Sequence, residues 1–253
     1  MIMQISRFYM LENVRNMGVF FGNIITPFIF VAFSFFINNA LADNGDVATL
    51  IIKGQFIPLS ILLLIFSFAF SSATIYLADL KADRTFYWIK RTGITYPKYY
   101  LGIALGVFSM MNIILFFVLL AYKTIVTMSF EDIFFIMIIS NFVLIGLYPL
   151  SFILAGLLKN GKVANSMLVP LMLVLMFSVT MTNLFVSVSG KNPQDYYLYL
   201  IWNPMLYLND IIQYQMGLTI GTWLPQYQYL ILLSIFSVIL LLIARRFFKI
   251  NEG

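Results

Sequence analysis

The residues of this chain that could take part in chemistry are few, and their types exclude most kinds of catalytic site. The 253 residues include no His and no Cys. An imidazole base, a thiolate nucleophile, a disulfide and a zinc site built on His or Cys are therefore excluded. We expect no catalytic residue, no metal site and no enzyme activity in this chain.

One glycine-containing stretch has nearly the spacing of a phosphate-binding loop. Residues Gly156–Val163 match the P-loop pattern until Val163 replaces the Ser or Thr whose hydroxyl binds magnesium. A P-loop also needs a strand-to-helix turn that directs its amides at phosphate groups, whereas this stretch joins two apolar segments. We interpret it as a tight basic turn containing Lys159, Asn160 and Lys162, and we expect the chain itself to bind no cofactor.

The composition of the chain predicts a membrane protein. Hydrophobic residues make up 62% of the chain and charged residues 10%, against about 25% charged residues in a soluble domain. The apolar runs are continuous and long enough for helices that cross a membrane. They lack the alternation of apolar and polar residues that is typical of the strands of a membrane β-barrel. We predict an all-α integral membrane protein, one domain over 1–253. Its six predicted spans are 17–38, 56–78, 100–122, 133–158, 163–187 and 226–245.

The positions of Lys and Arg predict the orientation of the chain. Twelve of these fifteen residues fall in the N-terminal segment, the C-terminal segment and the second and fourth connections between spans. Because cytoplasmic segments carry an excess of Lys and Arg, we predict a multi-pass protein of the cell membrane with both termini in the cytoplasm. The net charge of +5 is then a consequence of topology, and no nucleic-acid partner is expected.

The connection at 79–99 is the most charged part of the chain and also contains clustered aromatic residues. We expect Asp83 to favour the start of a short helix and Gly93 to end it. Aromatic side chains next to charges suit a docking surface; alternatively, the basic residues set the topology and the aromatic residues lie at the membrane interface. The candidate docking residues are Asp83, Arg84, Thr85, Phe86, Tyr87, Trp88, Ile89, Lys90 and Arg91.

Two other segments lie outside the predicted spans. Residues 1–16 mix apolar and charged side chains, which predicts a short helix in the headgroup region or a frayed N-terminus. Residues 188–225 are rich in Tyr and Trp and contain two Asn-Pro pairs. They are predicted to form short, half-buried helices that cap the outer end of the bundle, or else a plain extracellular loop. The candidate residues there are Asn203, Pro204, Tyr207 and Asp210.

None of the predicted spans has a charged residue near its centre. Such a charge costs about 3 kcal/mol and usually marks an ion or proton pathway, so the sequence argues against an ion-coupled carrier. The fifth span does contain polar residues, which either form hydrogen bonds inside the bundle or line a transport pathway. The candidate pathway residues are Asn165, Ser178, Thr182 and Asn183.

Three stretches of the chain combine with its six predicted spans: Asp83-Arg84-Thr85 with Ile89, Thr92, Gly93 and Gly102; Lys159-Asn160 with Ala164-Asn165; and Asn203-Pro204-Met205-Leu206-Tyr207 with Asp210. In order and spacing, these features resemble the membrane-spanning subunits of ABC exporters of the ABC-2 type over nearly the whole chain. At the coupling-helix region the family usually has Gly where Arg84 stands, and often Pro where Gly93 stands.

The resemblance implies a transport subunit that depends on partners. Two copies, or one copy and a second permease, would pair in the membrane, and each would dock through residues 83–91 onto a separate ATP-binding subunit that carries the ATP and magnesium. Residues 1–16 would be the interfacial helix of the family.

The cargo is inferred from composition. Apolar, Met-rich spans favour a hydrophobic or amphipathic cargo, and the abundance of Ile, Phe, Asn and Lys suggests an AT-rich bacterial genome. Our preferred hypothesis is a Gram-positive exporter of amphipathic peptides such as phenol-soluble modulins, or a bacteriocin-immunity exporter. The alternatives are a non-transporting membrane scaffold or sensor and an ion-coupled carrier.

Overall fold

The all-α membrane fold predicted from composition is confirmed. A computed structural model describes residues 1–247, except for the side chains of Val19, Asp43, Asp46, Phe86, Tyr87, Lys90, Tyr96 and Phe247. Six helices in this part are long and apolar enough to cross a membrane, and its regular elements are helical, without a strand. The chain is therefore a multi-pass membrane protein.

The described residues form eleven α-helices, with 3₁₀-helical segments at Ala42–Asn44 and Pro193–Leu200. Two π-helical segments, Ile52–Phe56 and Phe66–Ser72, join three of the α-helices into one continuous span. The α-helices are α1 (Ile2–Arg15), α2 (Met17–Ala40), α3 (Gly45–Ile51), α4 (Ile57–Ile65), α5 (Ala73–Ala82), α6 (Thr85–Arg91), α7 (Tyr96–Lys123), α8 (Phe130–Leu157), α9 (Gly161–Val188), α10 (Pro204–Gln215) and α11 (Gln226–Phe247).

The second span, made of α3, α4 and α5, is the centre of the bundle. It runs over Val47–Ala82, and 89% of its most apolar window is buried, against 11% for α2 and 17% for α11. All nine residues of α4 are buried. The more exposed helices, α2 and α11, therefore present most of their apolar surface outward, as expected for helices that face lipid.

Two proline residues inside the spans free backbone carbonyls that side chains from other helices then bind. Pro58 has no N–H, so the carbonyl of Gly54 lacks its α-helical donor, and Gln213 Nε2 of α10 donates to it at 2.8 Å. Pro149 likewise frees the carbonyl of Ile145, and Ser237 Oγ of α11 donates to it at 3.1 Å. These bonds fix α10 against the second span and α11 against α8.

Helix α1 packs on α7 at two glycines one helical turn apart. A Cβ at Gly102 would lie 2.6 Å from Ile5 Cβ, and a Cβ at Gly106 would lie 2.6 Å from Tyr9 Cδ1. The Tyr9 ring is fully buried, and its hydroxyl bonds to Ser72 Oγ of the second span. Residues 1–16 thus include an ordered helix that is attached to two spans.

This packing predicts that Gly106→Ala destabilises the protein. The added methyl group has to displace a buried ring that a hydrogen bond holds in place, and overpacking of this kind costs roughly 1–3 kcal/mol. Thermal unfolding of the purified protein in detergent measures the effect. The control is Gly22→Ala in α2, where a Cβ meets no atom within 4 Å; equal stability of the two variants would contradict the proposed packing.

Candidate functional site

Helix α6 forms an exposed corner between the second and third spans. One end of the bundle carries α6, the α8–α9 turn, and Arg245 and Arg246 in the last turn of α11. We call it the basic end. Trp88 of α6 is 65% exposed, and Arg91 Cζ lies 5.2 Å from the centre of its ring. This pair belongs to the predicted docking surface, and Trp and Arg side chains are enriched among the residues that contribute most to protein–protein interfaces.

The other described docking residues lie on either side of Trp88 in the sequence. Asp83 and Arg84 are exposed, while Thr85 and Ile89 are half-buried. The side chains of Phe86, Tyr87 and Lys90 lie outside the described part of the structure.

The corner before α6 differs from the expectation that Asp83 starts this helix. Asp83 instead follows the last residue of α5 as its C-cap, and Arg84 has a φ of 55°, in the left-handed region that costs an L-residue roughly 1–2 kcal/mol. Only Asp83 and Arg84 connect α5 to α6. Because this connection is short and Arg84 has a left-handed backbone, the direction of α6 depends on the end of α5. Gly93, with a φ of 72°, lies just after α6, where the sequence predicted its end.

The end of α5 is bound to the start of α9 by a carboxylate. Asp79 Oδ1 accepts a hydrogen bond from the amide of Gly161 at 2.7 Å. Gly161 is the first residue of α9, where free amides and the helix dipole favour a negative charge. The absence of a side chain at Gly161 permits this approach, because a Cβ there would lie 2.6 Å from Asp79 Cγ.

Two residues further along, α5 also holds the end of α8. The Lys81 ammonium donates to the carbonyls of Ala155, Gly156 and Leu158, which lie on both sides of Leu157, the last residue of α8. A positive charge suits the C-terminal end of a helix. Asp79 and Lys81 together attach the second span to both sides of the α8–α9 turn, and we call these contacts the helix-end clamp.

The α8–α9 turn contains the residues predicted from the glycine-containing stretch. Asn160 Oδ1 caps α9 by accepting from the amide of Val163 at 2.9 Å, while Lys159 and Lys162 are exposed. A helix, not a strand, precedes the turn, and the Gly161 amide already binds the Asp79 carboxylate. The turn therefore has neither the backbone setting nor the free amide of a phosphate-binding loop.

The candidate pathway residues of α9 do not lie together. Asn165 is exposed near the basic end, about 27 Å along the helix from Asn183 at about 1.5 Å per residue. Thr182 Oγ1 bonds within α9, to the carbonyl of Ser178 at 2.6 Å. Ser178 Oγ donates within α9 to the carbonyl of Leu175 at 3.4 Å and also accepts from Asn203 Nδ2 at 3.0 Å. Of the two interpretations of these residues, hydrogen bonding inside the bundle describes Ser178 and Thr182.

The opposite end of the bundle is closed by the segment Pro193–Trp223, which we call the aromatic end. Asn203 begins α10: its Oδ1 accepts from the Met205 amide at 3.0 Å, and Pro204 occupies the first turn, where its missing N–H is not needed. The same side chain donates through Nδ2 to the carbonyl of Leu175 in α9 at 2.6 Å. One buried amide thus both caps α10 and attaches it to the fifth span.

Asp210 is the central polar group of the aromatic end. It is fully buried, and it accepts hydrogen bonds from Gln194 Nε2 at 3.0 Å, the Trp223 amide at 2.9 Å and the Tyr229 hydroxyl at 2.7 Å. A buried carboxylate is tolerated when such donors replace water. Asp210 therefore connects the 3₁₀ segment, α10, the following loop and α11.

Two tyrosines complete this network. The Tyr207 hydroxyl donates to the carbonyl of Ile201 at 2.6 Å, and its ring stacks on Tyr229 with centroids 5.3 Å apart. The Tyr197 hydroxyl donates to Asn183 Oδ1 at 2.9 Å. Burial, and then the nearby charge of Asp210, raises the pKa of Tyr197, so this hydroxyl remains a donor at neutral pH.

Several residues of both networks were not identified from the sequence as site residues. Asp79 and Gly161 are 82 positions apart, Lys81 and Gly156 are 75 apart, and Tyr229 belongs to the last span. A charged residue at the end of an apolar run is typical of any membrane protein. Nothing local to Asp79 or Lys81 indicates which helix end it binds.

Comparisons with known proteins add no family to this description. The chain matches no protein-family model and no curated protein sequence.

The helix-end clamp makes a prediction that does not depend on any function. Gly161→Ala should destabilise the protein by about 0.3–1 kcal/mol, because the added methyl group displaces the exposed Asp79 carboxylate from the helix end that it stabilises. Once Asp79→Ala has removed that carboxylate, adding Gly161→Ala should cost nothing further. Thermal unfolding of the two single variants and the double variant measures this coupling, and strictly additive effects would contradict the contact.

The Asp210 network predicts a difference between two neighbouring tyrosines. Tyr229→Phe removes a donor to the buried carboxylate and the acceptor of the Leu224 amide, so it should destabilise the protein by about 1–3 kcal/mol. Tyr227, which is 62% exposed, provides the matched control, and Tyr227→Phe should change the melting temperature little. Equal effects of the two changes would rule out the network as drawn.

Proposed function

We propose that this chain is the membrane-spanning subunit of an ATP-driven exporter of the ABC-2 type. In this proposal a separate ATP-binding subunit docks on α6 and supplies ATP and magnesium, while the membrane helices provide a path for a hydrophobic or amphipathic cargo. The observation that carries the proposal is the helix-end clamp of Asp79 and Lys81. It connects the candidate docking helix to three of the six spans.

The clamp gives a docked subunit a mechanical route into the membrane. Helix α6 follows α5 after a corner at Asp83 and Arg84, so a push on α6 acts on the end of α5. Because Asp79 holds α9 and Lys81 holds α8, the same push moves the basic ends of the second, fourth and fifth spans together. An exporter driven by a separate ATPase needs such a connection between its docking surface and its spans.

The conformation of Arg84 supports the resemblance to the ABC-2 family. The family usually has Gly at this position, and the backbone here has a positive φ, which glycine adopts without steric cost. A position that requires a left-handed conformation explains why a glycine is common there. Arg84 adopts the same conformation at a cost, so its departure from the family pattern leaves the shape of the corner unchanged.

The remaining parts of the proposal follow from the distribution of charge. The basic end is assigned to the cytoplasm of a bacterial cell with both termini on that side, in accordance with the excess of Lys and Arg. A second copy or a related permease completes the path. The preferred cargo is an amphipathic peptide, in secretion or self-immunity. An ion-coupled carrier is less well supported, because Asp210, the buried carboxylate described above, already has three donors.

Docking through α6 predicts that Trp88→Ala weakens the complex with the ATP-binding subunit. Trp88 is 65% exposed, so the change should alter the stability of the isolated chain little, yet an anchoring Trp contributes on the order of 2 kcal/mol to an interface. We expect a loss of affinity of about 30-fold, measured by titration of a purified ATP-binding subunit that copurifies with the wild-type chain, with a matching loss of its stimulated ATP hydrolysis.

Trp202→Ala is the matched control for this experiment. Trp202 is also exposed, at 50%, but it lies at the aromatic end, so its removal should leave docking unchanged. If Trp88→Ala binds and couples as well as the wild-type chain, the docking assignment is wrong. Transport into sealed vesicles tests the alternatives. Cargo movement that survives an uncoupler but stops on ATP depletion supports the ATP-driven exporter over an ion-coupled carrier. The absence of movement for every tested cargo favours a scaffold or sensor.

A further inference from the structure

A groove lies on the surface of the bundle between α8 and α9, in the half of α9 that starts at the basic end. Its volume is about 410 Å³, within the range of about 300–1,000 Å³ that is usual for ligand sites. Met167, Pro170 and Val174 are exposed, so the groove can be reached from outside the bundle. The described residues that line it are all apolar: Leu154, Leu158, Met167, Leu168, Pro170, Leu171 and Val174.

The position of the groove along α9 corresponds to one leaflet of a bilayer. Helix α9 has 28 residues and is therefore about 42 Å long at about 1.5 Å per residue, similar to the ~40–45 Å thickness of a bilayer with its headgroup regions. Along this helix, Met167 and Val174 lie roughly 9 and 20 Å from its start at the basic end. The groove thus extends from below the headgroups to the bilayer centre, the depth that a lipid acyl chain occupies.

Positive charges lie where the groove meets the basic end. Lys159 directly follows the lining residue Leu158, and Lys162 lies in the first turn of α9. Both side chains are exposed, and neither ammonium group has a hydrogen-bond or ion-pair partner in the part of the chain that the structure describes. The Lys81 ammonium donates to the carbonyl of Leu158 at 3.3 Å and adds a third positive charge, while the Asp79 carboxylate at this end is already bound to a helix amide.

We propose that this groove binds an anionic phospholipid, with one acyl chain against the apolar wall and the phosphate beside Lys159 and Lys162. The apolar wall accepts the acyl chain of any lipid, whereas the two lysines favour a headgroup with a net negative charge. Phosphatidylglycerol has such a headgroup, and phosphatidylcholine does not, because its own ammonium group balances the phosphate. The proposal concerns lipid binding and goes beyond the proposed transport function, so it holds whether or not an ATPase drives this chain.

Native mass spectrometry of the purified protein in an uncharged detergent tests this proposal, because it counts the lipid molecules that stay bound outside a bilayer. The probes are dioleoylphosphatidylglycerol and dioleoylphosphatidylcholine, which have the same acyl chains and differ in the net charge of the headgroup. We expect saturable binding of phosphatidylglycerol that is roughly tenfold tighter than that of phosphatidylcholine, since both lysines attract the anionic headgroup.

Two sets of variants assign the binding to the headgroup contacts and to the groove. Changing both Lys159→Gln and Lys162→Gln should lower the affinity for phosphatidylglycerol to that for phosphatidylcholine. Its control is Lys191→Gln, which removes an exposed Lys beyond the other end of α9 and should leave the preference unchanged. Met167→Trp partly fills the groove and should weaken both lipids severalfold, whereas Val169→Trp, also exposed on α9 but not part of the wall, should weaken neither.

Three results would each overturn the proposal. These are equal affinity for the two lipids, an unchanged preference in the double lysine variant, and unchanged lipid binding in Met167→Trp. If Met167→Trp instead converts a dimer of the chain into a monomer without affecting the lipids, the groove belongs to a contact between two copies. All the substituted side chains are exposed, so the variants should fold. Docking at α6 does not enter this experiment, and the lipid proposal and the transport proposal therefore fail separately.

Discussion

Backbone groups that the helices leave unpaired are the constraint on which the rest of this structure depends. Water is scarce within the hydrocarbon core, so a carbonyl freed there needs a partner from the protein. Pro58 and Pro149 each free one, and the donors are Gln213 and Ser237, from two other helices. Each of these two prolines therefore specifies where another helix packs. The carbonyls freed by these prolines are thus the points at which other helices attach to the spans.

The same requirement applies at the helix ends. At the aromatic end, Asn203 binds the first turn of α10, and Lys53 donates to the carbonyl of Met216, its C-cap. At the basic end, Asp79 binds the start of α9 and Lys81 the end of α8. Placed this way, each charge also opposes the partial charge of the helix end that it binds.

Much of the fold could be predicted from composition, because charge-free runs of about 20 residues have few other uses in a protein. The segment around Asn203 could also be predicted as broken helix, since Asn-Pro is a strong local signal for a helix start. Local signals could not predict that the second span forms the core, because its apolar residues look like those of α2, which is largely exposed. Burial in a membrane protein depends on which helices pack together, and hydropathy reports only that they are apolar.

The candidate site also has one part that local sequence signals indicate and another part that they do not. Trp88 and Arg91 could be identified from the sequence because aromatic and basic residues cluster there. The helix-end clamp could not, since Asp79 and Gly161 meet across 82 residues. The left-handed backbone at Arg84 could not be predicted from the sequence for another reason. A long charged side chain gives no sign of a positive φ, whereas a glycine at that position does.

The two ends of the bundle also differ in how firmly they are held. The hydrogen bonds of Asp210 and Asn203 lie in buried surroundings, where breaking one leaves an unpaired polar group at a cost of about 1–3 kcal/mol. Asp79 and Lys81 are exposed, and a charge at an exposed helix end contributes about 0.3–1 kcal/mol, which water can largely replace. Rearrangement is therefore easier at the basic end than at the aromatic end. In the exporter proposed above, a push on α6 therefore displaces the basic ends of α5, α8 and α9 while the aromatic end keeps its shape.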